Sequence, residues 1–149
     1  MALKGIVSKL SGKLAETFST KPTRGPWLPA QGDFPRLMLL EQQVLDEIKD
    51  TGGLFALWHR GVRPQWIYVG HTDDLAATIA EAQTDSDIAL YDLNDGVYVT
   101  WALCPPEARA GAVLSLRQVL GPAIDRSLLD VAGHIPPETK PSDFPLPVD

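Results

Sequence analysis

Two short runs rich in strand formers, Leu54-Phe55-Ala56-Leu57-Trp58 and Trp66-Ile67-Tyr68-Val69, lie so close in the chain that only Arg60-Gly61-Val62-Arg63-Pro64 turns between them. A parallel crossover needs roughly a dozen residues or more, so this pair can only form an antiparallel hairpin. A third run, Val97-Tyr98-Val99-Thr100-Trp101-Ala102-Leu103, is β-branched and aromatic and reads as a third strand. The segments between and around these runs repeat their apolar residues at helical spacing. The expected class is therefore α+β: a small three-stranded, mainly antiparallel sheet flanked by helices.

One helix is expected from Asp33 and Pro35 to Gly52-Gly53, burying Leu37, Leu40, Val44, Leu45 and Ile48. Another starts after a cap at Thr72 or Asp73 and buries Leu75, Ile79 and Ala82. The acidic stretch from Thr84 to Asp95 ends in an Asn94-Asp95-Gly96 turn. A last helix opens at Pro105-Pro106-Glu107 and stops at Gly121-Pro122.

The ends read differently from the middle. Residues 2–18 carry Leu3, Ile6, Val7, Leu10, Leu14 and Phe18 on one helical stripe, with Lys4, Lys9 and Lys13 off it. Ser8, Lys9, Ser11, Lys13 and Glu16 interrupt any apolar run there, so a secretory leader is not expected. Residues 19–33 hold Pro22, Pro26, Pro29, Gly25 and Gly32 and run extended, with Trp27 and Leu28 as an anchor that needs a pocket. The last 16 residues hold Pro136, Pro137, Pro141, Pro145 and Pro147, which excludes helix and central strand and leaves an extended strap or a disordered tail. The chain thus divides into an arm (1–33), an α+β domain (34–133) and a proline-rich tail (134–149).

Charge follows the same division. Residues 1–24 carry five basic residues and Glu16, a net +4, while the remaining 8 basic and 18 acidic residues give the body −10. An acidic body repels phosphate backbones and argues against a broad nucleic-acid surface. The basic arm suits a solvated lysine face, a helix docked on a protein partner, on a second copy or on the chain's own domain, or contact with an anionic partner such as a membrane surface or nucleic acid. No apolar run approaches the roughly 18 residues of a membrane span. Cys104 is the single cysteine, which excludes a disulfide within the chain, fits a reducing cytoplasm and reads as a packed thiol. His59, His71 and His134 are too scattered for a metal motif.

Gly53-Leu54-Phe55, then Tyr68-Val69-Gly70, then Thr72 and Leu75, resembles the GIY-YIG nuclease domain over residues about 53–126. The resemblance implies a phosphodiester-cleaving fold in which a tyrosine, an arginine and a metal-binding glutamate work together, with Mg or Mn as cofactor. Here the pattern departs from the family. Phe55 lacks a hydroxyl, Thr78 stands where the arginine is expected, and the helix from Ala108 to Leu120 holds no acid, with Ser115, Leu116 and Arg117 in the glutamate's region. Tyr68, His71 and Asp73 are the candidates if catalysis persists, His71 as base and Asp73 with Asp74 as metal ligands. Asp73 and Asp74 also suit a helix N-terminus without any ligand. Arg60 and Arg63 either clamp a phosphate or solvate the hairpin turn.

The expectation is a non-catalytic structural or protein-binding module, without cofactor or metal. It would serve as a subunit of a larger assembly, such as a viral particle or another multi-subunit complex, held by its arms. A divergent metal-dependent endonuclease is the alternative. A peripheral membrane protein anchored by residues 2–18 is the second.

Overall fold

The computed structural model describes residues 25–60, 65–93, 95–124 and 133–147. The expected helix over 2–18, with Leu3, Ile6, Leu10 and Phe18, lies outside the described residues, as do the hairpin turn with Arg63 and Asn94. The elements are β1 (Trp27–Leu28), a 3-10 turn (Leu37–Leu39), α1 (Gln42–Glu47), β2 (Gly53–His59), β3 (Gln65–Thr72), α2 (Leu75–Gln83), α3 (Ser86–Asp92), β4 (Val97–Leu103) and α4 (Pro106–Leu120).

The class is α+β: one antiparallel sheet, in the order β1-β4-β2-β3, flanked by helices. The three expected strands are present, and β2 and β3 form the antiparallel hairpin that the short connection requires. A bulge at Ile67 shifts the register, so that Leu57 faces Tyr68 and Trp58 faces Trp66. The two-residue β1 was expected to be linker. It pairs with Trp101 and Ala102, because β4 would otherwise present an open edge there.

β2 is buried along its whole length because layers cover both faces of the sheet. On one face Phe55, Leu57, Tyr68, Val97, Val99 and Trp101 pack with Leu37, Leu45, Ile48, Leu75, Ile79, Ala82 and Ile88 from the 3-10 turn and α1–α3. On the other, Leu54, Ala56, Val69 and Ala102 pack with Ala112, Val113 and Leu116 of α4, and with Trp27. The period-two alternation of the strands sorts these residues between the faces.

The single helix expected after Asp33 is broken into the 3-10 turn and α1. Val99 N donates to Pro35 O (3.1 Å) and Arg36 bridges to Tyr98, so this stretch extends the β4 edge and Asp33 caps nothing. Leu40 and Glu41 are extended between the two pieces. Gly53 belongs to β2 rather than to a helix stop: a Cβ there would strike the Ala102 carbonyl oxygen. The cap of α2 is Asp74, whose Oδ1 accepts from Ala77 N (3.2 Å), instead of Thr72 or Asp73. The acidic stretch holds α3, capped by Asp85 Oδ1, which accepts from Asp87 N and Ile88 N. β4 and α4 run as expected, and Gly121 closes α4 in the left-handed conformation (φ 57°).

Candidate functional site

The positions that resemble the nuclease motif meet at the centre of the sheet. Phe55 and Tyr68 lie with ring centroids 5.7 Å apart, each essentially without exposure. A Cβ on Gly70 would press on both rings at 2.9–3.1 Å, so the glycine is explained by aromatic packing alone. Thr78, in the arginine's place, is buried and donates from Oγ1 to Thr72 Oγ1 (2.7 Å). Thr72 Oγ1 also accepts from Asp74 N (3.1 Å), so this buried pair of hydroxyls holds the β3–α2 junction together.

Tyr68 and His71 do not converge. Three positions apart on one strand, they point to opposite faces. Tyr68 enters the α1–α3 layer, whereas His71 meets the C-terminal segment, with Nε2 at 3.1 Å from His134 O. A carbonyl only accepts, so Nε2 carries the proton and His71 is the donor. Burial lowers the His71 pKa from its ordinary value. The bond to His134 O opposes that shift, Arg109 and Arg117 add to it, and Asp73 opposes it. Asp73 itself turns to Arg109, whose Nη1 donates to Asp73 Oδ1 at 2.6 Å. Arg109 Nε donates to Cys104 O (2.8 Å), and Arg117 Nε donates to Val69 O (2.9 Å) with its guanidinium 5.5 Å from the Tyr68 ring.

The sequence reading missed Arg109 and Arg117 as members of this site. Their signal was present: two arginines eight apart on a largely apolar helix fall near one face. Around His71 the polar groups bond to one another and to backbone carbonyls, so each hydrogen bond here also ties elements together. Among the described residues no group of three or more His, Cys, Asp or Glu gathers to hold a metal ion. Cys104 is buried, and that burial raises its pKa, which keeps the thiol protonated and inert.

Trp27 finds its pocket within the chain. It is fully buried, its Nε1 donates to Pro145 O (2.7 Å), and Phe144 meets its ring edge-on at 5.8 Å. Leu28 packs on the opposite face. The tail is thus a strap across α4: Ser142 N donates to Gly111 O (3.1 Å), and Gly133 N donates to His71 O (2.7 Å). Arg60 lies against an aromatic ring. Its guanidinium sits 4.4 Å from the Tyr98 ring centroid, beside Trp58, which stacks on Tyr98 at 6.0 Å.

A concavity lies on the α1 side of the sheet. It is a groove of about 530 Å³, with Leu28, Pro29, Leu40, Val44, Trp101 and Leu103 among its walls and with Asp33 and Glu47 contributing charge. Trp101 is 4% exposed, and its Nε1 has no hydrogen-bond partner among the described residues. No known family, curated protein or solved structure matches the chain. No helix among the described residues is long and apolar enough to cross a membrane.

Proposed function

We propose that this chain is a non-catalytic protein-binding module on a degenerate GIY-YIG-like scaffold, and that it works in the cytoplasm as a subunit of a larger assembly. One observation carries the reading: the positions where that family keeps its chemistry are committed to packing. Phe55 and Tyr68 pack ring against ring in the core and Thr78 is tied to Thr72. A general base must reach a substrate proton to act, and a metal needs converging carboxylates. His71 is instead turned to the strap, and Asp73 to Arg109.

The binding surface is the apolar groove and its surroundings, together with the basic arm. Leu103 at the groove is 55% exposed, and Leu39, Leu90 and Leu93 are exposed on the same helical layer. Native mass spectrometry of the full chain purified with its complex from its source tests the reading. The expected result is a fixed stoichiometry with defined proteins or with further copies of the chain. A chain recovered only as a monomer would overturn the assembly.

A further inference from the structure

The groove on the α1 side has three properties that together specify an occupant. Its walls are apolar, its charge is acidic, and the chain enters the described fold beside it. Leu28 and Pro29, four and five residues after Arg24, form part of the wall. The acidic character goes beyond Asp33 and Glu47, because Glu41, Asp46 and Asp50 are exposed on the same stretch of chain. Lys49 and Arg36 are its basic residues, and Arg36 is already paired with Asp92 at 3.3 Å.

We infer that the groove is the seat of the chain's own residues 2–18. Leu3, Ile6, Leu10, Leu14 and Phe18 supply an apolar stripe, and Lys4, Lys9 and Lys13 flank it. The net charge of +4 over residues 1–24 meets the acidic wall. Residues 19–24 can span about 20 Å when extended, enough to carry the stripe from β1 onto the adjoining groove. Tethering makes docking intramolecular, so the arm acts at a high effective concentration and outcompetes a free partner of similar affinity. This inference rests on the module reading in treating the arm as a binding element, and it adds a regulation: a partner that uses the groove must first displace the arm.

Disulfide trapping in the full chain tests it. In a Cys104→Ser background, Thr17→Cys, beside the stripe, is paired with Glu47→Cys at the groove. Gln118→Cys, exposed on α4 across the sheet, replaces Glu47→Cys in the control. Oxidation at low protein concentration is expected to give an intrachain disulfide with Glu47→Cys and several-fold less with Gln118→Cys. Adding Leu10→Asp and Leu14→Asp, outside the described fold, is expected to remove the difference, and raising the salt to reduce it. Equal yields at both sites would overturn the inference, as would a disulfide formed only between chains, which would assign the arm to a second copy. Native mass spectrometry reads the assembly separately, so the two claims fail by different results.

Discussion

The two faces of the sheet are closed in different ways. On the α4 face the chain returns twice: Trp27 packs there, and the strap meets it through Phe144 and Pro145. The outer edge of β3 is covered as well. Ala123 N reaches Trp66 O (3.0 Å), Ile124 N reaches Ile67 O (2.9 Å), Arg117 takes Val69 O and Gly133 N takes His71 O. On the α1 face the helices are short, the chain breaks at Leu40–Glu41, and a groove remains whose Trp101 indole has no hydrogen-bond partner among the described residues. One side is sealed by hydrogen-bonded strapping, and the other presents apolar surface. This contrast is the reason the proposed binding is assigned to the α1 side.

If the α4 face is held by its strap, Trp27→Ala should cost the most. Losing a fully buried indole and its bond to Pro145 O is expected to destabilise the fold by about 3–5 kcal/mol in urea unfolding. Val44→Ala, in the half-buried groove wall, should cost about 1 kcal/mol. Similar losses at both sites would break the contrast.

Arg109→Met should come next, at about 2–3 kcal/mol, because Cys104 O then loses its donor in a buried position. Asp73→Asn should cost less than about 1 kcal/mol, because the Asp73 side chain is 97% exposed and water screens the pair. Reversal of that order would mean that the ion pair, rather than the backbone bond, holds the β4–α4 corner.

A pair of tryptophan substitutions sharpens the comparison. Trp27→Phe breaks the bond to Pro145 O and is expected to cost about 1–2 kcal/mol. Trp101→Phe removes an N–H that has no partner among the described residues and should cost about 1 kcal/mol or less.

The smallest effect is the pH dependence at His71. Its folded pKa lies below 6.5, so the unfolded state binds more protons once the pH falls below that value. The contribution of neutral His71 is therefore whole above pH 6.5 and declines as the pH falls towards the folded pKa. His71→Asn should flatten this slope in a urea midpoint series from pH 7.5 to 5. An unchanged slope would remove His71 from the strap's support.

Strand positions were legible in the sequence because their apolar runs are dense and their connections short. β4 was readable to the residue, and so was the end of α4 at Gly121, where the left-handed conformation favours glycine. The break at Leu40–Glu41 was not, because it arises from Pro35 and Arg36 joining the β4 edge, a contact across more than sixty residues. The α4 strap was half legible: five prolines excluded helix, but Trp27 reaching Pro145 required the fold. At the site, Tyr68 and His71 look adjacent in sequence, and only the strand's alternation separates them. The groove had no sequence signature, because its walls come from five separated stretches.

The most direct test of a module without catalysis is a cleavage assay on the full chain. Single- and double-stranded DNA and RNA would be incubated with Mg or Mn, beside a chelated control. The account predicts no metal-dependent cleavage above that control. Cleavage abolished by the chelator and reduced in Tyr68→Phe or His71→Ala would contradict it and restore a nuclease.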